Sequence, residues 1–201
     1  MIRYAYIHNN VLCIYSVLPE IRFPLNVKKV VDVIPNCKFL SYQDFAKLNK
    51  CSVEDVIKIC ESESGCTMLD ANTQRYLILC NQSTANNNNF GRQRWTLSHE
   101  IGHIMCCHHT MASCSKLSEN NTIHAENYMI ESEADYFAAM LLAPFPLYNE
   151  LGVKSPLDVQ RVFGLSTEAS IYRYREYLKW KQDHRKTAWE NDILNLYRSK
   201  A

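Results

Sequence analysis

Two histidines and a glutamate near the middle of the chain have the types and the spacing to bind a metal ion and to activate a water molecule. They are His99, Glu100 and His103, which form a His-Glu-x-x-His motif. On a helix, positions i and i+4 project from one face, so two imidazole nitrogens can bind a single Zn²⁺. Glu100 leaves the helix beside that pair, where its carboxylate can take a proton from the attacking water. Because such a motif arises by chance in about one chain in a hundred of this length, the flanking sequence has to decide its meaning.

A catalytic zinc site takes a third protein ligand, and His109 is one of two candidates in this chain. It gives the spacing of the metzincin proteases, but Cys106 stands where the metzincin pattern has a glycine. Without that glycine we expect the helix to continue and to turn His109 away from the metal. His109 would then be an exposed histidine at a helix end, where the helix dipole favours it. A metzincin-like protease that uses His109 is the enzymatic alternative.

The other candidate is Glu131, in a segment that is predicted to form a helix ending near Pro144. Glu131 and Asp135 are at positions i and i+4 and share one helix face. This suits one carboxylate on the metal and one that accepts the second N–H of a metal-bound imidazole. The alternative is that both are ordinary exposed charges of an amphipathic helix. Glu133 points about 200° away from Glu131, and we expect it to be a solvated surface residue.

The two segments together resemble the ImmA/IrrE metallo-endopeptidases, a gluzincin-like family. The resemblance is carried by RQRWTLSHEIGH at 92–103 and ESEADYFAAMLLAP at 131–144. The departures from the family pattern are mild and touch no proposed ligand: Trp95 replaces Phe, Ser98 replaces Ala and Ala143 replaces Met. The resemblance implies a zinc-dependent endopeptidase with Glu100 as the general base. Its implied zinc ligands are His99, His103 and Glu131.

The resemblance also implies a protein substrate. We expect a helix-turn-helix transcriptional repressor of a mobile element, a stress response or a toxin–antitoxin locus. The rival expectation is a non-catalytic anti-repressor that binds such a repressor and retains the fold and the metal. The presence of Glu100 separates the two, because a pure binding module has no need of a base. Three further residues are candidates for contacts to the oxyanion or the substrate, each with a surface or structural role as its alternative: Arg94, His124 and Tyr128.

Composition excludes several classes of protein. A net charge of +1 over 201 residues gives no support to a general polyanion binder. Nine cysteines without a Cys-x-x-Cys pair fit reduced thiols, and no stretch resembles a signal peptide or the roughly 20 apolar residues of a membrane span. We therefore expect a cytoplasmic protein that does not bind a membrane. In the segment 158–178, Gln160 stands where DNA-binding versions usually have alanine, so we expect no direct nucleic-acid binding.

The elements that must position the site follow from local patterns. Strand signals precede residue 80 and helix signals follow residue 92, which predicts an α+β fold with a small, mostly antiparallel sheet packed on the active-site helix. Strand 75–80 is a candidate for an edge strand that pairs with substrate backbone, by resemblance to gluzincin-like proteases; a plain core strand is the alternative. Three segments are expected: an N-terminal hairpin extension (1–23), the zinc metallopeptidase domain (24–146), and a helical C-terminal segment with a helix-turn-helix outline (147–201).

Overall fold

A computed structural model describes residues 1–82, 90–118, 125–183 and 187–201. It has an α+β fold, as predicted. The strands are β1 (Cys37–Ser41), β2 (Gly65–Asp70), β3 (Arg75–Cys80) and β4 (Lys116–Ser118). The helices are α1 (Tyr4–Val17), α2 (Val27–Val33), α3 (Tyr42–Asn49), α4 (Val53–Cys60), α5 (Phe90–Met105), α6 (His108–Met111), α7 (Ala125–Leu142), α8 (Leu147–Glu150), α9 (Pro156–Phe163), α10 (Thr167–Asp183) and α11 (Ala188–Lys200).

The four strands form one mixed sheet in the order β1-β3-β2-β4. β3 pairs in parallel with β1 and antiparallel with β2, and β2 is also antiparallel to β4. Of the two alternatives for 75–80, the edge strand is excluded and the core strand is found, because β3 lies inside the sheet and already hydrogen-bonds to a neighbour on each side. Among the described residues, the edges of this sheet are β1 and β4. The polar Thr67 of β2 is fully buried and faces α5, to which it donates a hydrogen bond.

The helix that carries the His-Glu-x-x-His motif, α5, packs against α7 over much of its length. Gly102 lies in the contact between the two helices. A Cβ atom at this position would lie 3.0 Å from Ala134 Cα and 3.1 Å from the Ala134 carbonyl oxygen. The two backbones can approach this closely because Gly102 has no side chain to meet Ala134. This contact places Glu131, one turn before Ala134, beside the histidines of α5.

The predicted N-terminal hairpin is wrong, because residues 4–17 form the helix α1. Its buried residues recur at i, i+4, i+7 and i+8, which is the periodicity of a helix: Ile7, Val11, Ile14 and Tyr15. The Asn9-Asn10 pair imitates a turn signal, but the Asn10 side chain instead donates a hydrogen bond to the Met105 carbonyl oxygen at 2.6 Å. α1 packs against α7 and α11 and shares the main hydrophobic core with α5.

The C-terminal segment has the predicted helix–turn–helix outline. α9 ends at Phe163, and the next residue, Gly164, has a left-handed φ of +64°, which favours glycine. α10 follows after a short turn and packs back on α9. α11 then packs on α1, with the Trp189 indole N–H donating to the His8 carbonyl oxygen at 3.0 Å. Within the described ranges, no helix has both the length and the apolar character needed to cross a membrane.

Candidate metal centre

Three donor atoms from two helices converge at the α5–α7 contact. The Nε2 atoms of His99 and His103 lie 3.1 Å apart. Glu131 of α7 places Oε2 3.0 Å from the His99 Nε2 and Oε1 3.6 Å from the His103 Nε2. The i, i+4 spacing of the histidines and the close helix packing together produce this arrangement. Among the described residues these three form one of two groups whose donor atoms lie close enough together to hold a metal ion.

The chemistry of this donor set fits a divalent metal. Each imidazole uses its Nδ1 atom elsewhere: His99 Nδ1 lies 2.9 Å from Asp135 Oδ1, and His103 Nδ1 lies 3.0 Å from His108 Nδ1. Both Nε2 atoms are therefore left to face Glu131. Two imidazole nitrogens and one carboxylate are a common set of three protein ligands in catalytic zinc sites.

The two histidines differ in their proton affinity. Burial opposes the charge on His99, but hydrogen bonds to Asp135 and Glu131 outweigh it and raise the pKa of His99 well above its usual value. Burial and the neighbouring imidazoles hold the pKa of His103 well below its usual value, so that ring is neutral. A divalent cation bound here would displace the proton of His99, since a metal binds the neutral imidazole.

Glu100 follows His99 on α5 and is fully buried. Its Oε2 atom accepts a hydrogen bond of 2.6 Å from the Thr67 hydroxyl, which also lies 3.2 Å from the Glu100 carbonyl oxygen. The sheet thus holds this carboxylate in a fixed orientation. Thr67 was not found from the sequence, because a threonine in a β-rich stretch is ordinary until the strand is placed against α5.

His108 and Glu133 are two further residues that sequence reasoning missed. The prediction that Glu133 is a solvated surface residue is wrong: it is 0% exposed. It accepts hydrogen bonds from His108 Nε2 at 3.1 Å and from the backbone N–H of Arg3 at 2.8 Å. Burial by itself would raise the pKa of Glu133, but the hydrogen bonds from Arg3 and His108 lower it to about 2. Burial lowers the pKa of His108 to about 4, so this ring is neutral at pH 7.

His109 lies apart from the donor atoms, but not for the predicted reason. The expectation that the helix continues past Cys106 is wrong, because α5 ends at Met105 and Cys107 adopts a left-handed φ of +58°. His109 is also buried, with 2% exposure, rather than exposed at a helix end. Its Nδ1 atom lies 3.0 Å from the Cys114 carbonyl oxygen. Neither group of possible metal ligands among the described residues includes His109.

The structure describes two of the three candidates for substrate contacts, Arg94 and Tyr128. Arg94 is 6% exposed, and its guanidinium donates to the carbonyl oxygens of Phe163, Gly164 and Leu25. This is the structural alternative: Arg94 ties α5 to the turn between α9 and α10. Tyr128 is 73% exposed on α7, one turn before Glu131. His124 lies outside the described residues.

Comparison with known families gives a class for this arrangement. The Peptidase M78 family model, described as the IrrE N-terminal-like domain, matches residues 63–175. The match covers more than half of the chain, and it includes α5 and α7 with their converging donor atoms. The chain therefore belongs to this metallopeptidase family, which confirms the resemblance drawn from its motifs. A search of the curated proteins found no match to the chain.

Proposed function

We propose that the protein is a zinc-dependent endopeptidase. The observation that carries the proposal is the convergence of His99, His103 and Glu131 on one point, beside a buried glutamate on the same helix. These three residues would hold the metal. When bound, zinc polarises the scissile carbonyl group and makes the attacking water more acidic. Family membership supports peptide hydrolysis as the reaction.

The chain's own residues supply the remaining parts of the reaction. Glu100 takes a proton from the attacking water and returns it to the leaving amine. The hydroxyl of Thr67 orients the Glu100 carboxylate, because its hydrogen bond occupies Oε2. Asp135 accepts the Nδ1–H of His99 and so keeps the Nε2 lone pair of that ring directed at the centre.

The proposed substrate is a helix-turn-helix repressor of a mobile element, a stress response or a toxin–antitoxin locus, cleaved in the cytoplasm. Its support is the resemblance to the ImmA/IrrE proteins. A protein that only binds such a repressor would act without Glu100, so the same residue decides between cleavage and sequestration.

The functional test is Glu100→Gln. The variant is expected to retain zinc and repressor binding, and to lose roughly 10²–10⁴-fold in cleavage rate, because an amide cannot take the proton. Each version would be co-expressed with a candidate repressor, intact repressor followed on gels and derepression by a reporter. If both versions derepress equally while the repressor stays whole, the protein acts by binding and the enzymatic proposal fails.

The metal test compares Glu131→Ala with His109→Ala. Glu131→Ala is expected to lose zinc, because it removes one of three converging donors. His109→Ala is the matched control: it also truncates a buried side chain near α5, but it should retain zinc. Elemental analysis of the purified proteins measures both. Equal zinc loss in the two variants would instead support the metzincin-like alternative, in which His109 is a zinc ligand.

A further inference from the structure

A line of buried polar side chains runs from the candidate metal centre to the N-terminus of the chain. His103 Nδ1 lies 3.0 Å from His108 Nδ1, and His108 Nε2 lies 3.1 Å from Glu133 Oε2. Arg3 closes the line with its Nε atom 3.0 Å from Glu133 Oε2. The geometry points to His108 as a positioning residue that fixes the tautomer and the orientation of His103, with Arg3 and Glu133 fixing His108 in turn. This inference rests on the proposed metal centre.

The direction of each hydrogen bond follows from the far end of the line. The Arg3 guanidinium can only donate, so the Glu133 carboxylate accepts from it and also accepts from His108. His108 must therefore carry its proton on Nε2, which leaves its Nδ1 as an acceptor. The Nδ1 atom of His103 then has to be the donor. With its proton on Nδ1, His103 presents the Nε2 lone pair to the point shared with His99 and Glu131.

Cys106, His108 and Glu133 are also a set of residue types that could hold a second metal ion. The position of Arg3 argues against that use. Its backbone N–H and guanidinium both bond to Glu133, and the guanidinium donates at 2.9 Å to the Cys106 carbonyl oxygen. An arginine therefore supplies the positive charge that a cation would otherwise bring. Both imidazole nitrogens of His108 are engaged as well, which leaves no lone pair for a metal.

The line also gives the N-terminal segment a role at the centre. Arg3 is the residue that immediately precedes α1, and three of its donors are used on Glu133 and Cys106. Asn10 of α1 bonds to the Met105 carbonyl oxygen at the end of α5. Arg3 thus holds the buried carboxylate of Glu133 in place, and α1 holds the end of the motif helix.

The test uses His108→Asn and His108→Leu, because asparagine and leucine have nearly the same shape and differ in hydrogen bonding. The Asn carbonyl oxygen lies close to where His108 Nδ1 lies and can accept from His103, whereas Leu cannot. Zinc affinity of the full chain would be measured by competition with a chromophoric chelator. Loss of an orienting partner typically costs 10–100-fold in metal affinity, so His108→Leu should weaken zinc binding by about that factor. His108→Asn should stay within a few-fold of the wild type.

Three outcomes overturn the inference while leaving the proposed function intact. Equal weakening in the Asn and Leu variants would mean that His108 only fills space. Two zinc ions per wild-type chain would assign Cys106, His108 and Glu133 to a second metal site. Nitrogen-15 spectra of the histidines in the zinc-loaded wild type test the tautomer without a mutation, and a His108 proton on Nδ1 would contradict the line. A wild-type chain that binds no zinc would instead remove the proposed function itself.

Discussion

The two faces of α7 orient the two imidazoles of the candidate centre in different ways. On the outer face, Asp135 contacts His99 directly, and its side chain is 57% exposed. On the inner face, Glu133 is fully buried and reaches His103 only through His108. Water can replace Asp135 as the hydrogen-bond acceptor of His99, because Asp135 is exposed. Water cannot reach Glu133, so its buried charge depends on the partners that the protein supplies. A change on the outer face should therefore affect metal binding but hardly the stability of the fold, whereas a change on the inner face should affect both.

The largest expected effect is a difference between the two faces in the free energy of unfolding. Arg3→Met removes the partner of a buried charge, and breaking such a pair costs about 3–5 kcal/mol. We expect about 3 kcal/mol, because the Arg3 side chain is partly exposed. Asp135→Ala, on the outer face, should cost less than about 1 kcal/mol. Urea unfolding of the chelator-treated proteins measures both values. Similar losses for the two variants would show that burial does not separate the faces.

The second effect is a pH dependence that comes from Glu133 on the inner face. The pKa of Glu133 is lowered from its usual 4.5 to about 2, so its ionisation contributes stability that is complete above about pH 4.5 and is lost as the pH falls toward 2. The difference corresponds to about 3 kcal/mol. In Arg3→Met the main cause of the lowered pKa is absent. The stability difference between wild type and Arg3→Met should therefore shrink steadily below pH 4.5. A difference that is unchanged at pH 3 would contradict the ion pair as its source.

The metal ligands and Asp135 on the outer face of α7 are the part of the site that could be predicted from the sequence. His99, His103, Glu131 and Asp135 all lie at i, i+4 spacings within two helices, so local geometry alone places each pair on one face. The prediction also required that α5 and α7 lie side by side, and this was inferred from the family resemblance. The α+β class followed from local patterns in the same way, but β4 lies after α5 in the chain and no local pattern predicted it.

The inner face could not be predicted, because it depends on a contact between residues far apart in the chain. Glu133 points away from Glu131, and that direction leads to solvent unless another element covers it. The covering element is α1, but its sequence predicts a hairpin, because Asn9-Asn10 resembles a turn between two short apolar runs. The helical spacing of Ile7, Val11 and Ile14 was the signal that would have corrected it. The turn at Cys107 was missed too, and it decides that His108 meets His103.

The smallest expected effect concerns Asp135 and tests the outer face by itself. Asp135→Ala removes the acceptor of the His99 Nδ1–H, and orienting partners of this kind are worth 10–100-fold in metal affinity. The exposed position of Asp135 lets water accept the same hydrogen, so the loss should be near the lower end, about tenfold or 1.4 kcal/mol. Asp135→Asn retains an acceptor oxygen and should fall between Ala and the wild type. The chelator competition that measures His108→Leu measures these variants too. If Asp135→Ala weakens zinc binding more than His108→Leu does, exposure does not decide what an orienting group contributes, and the contrast between the two faces fails.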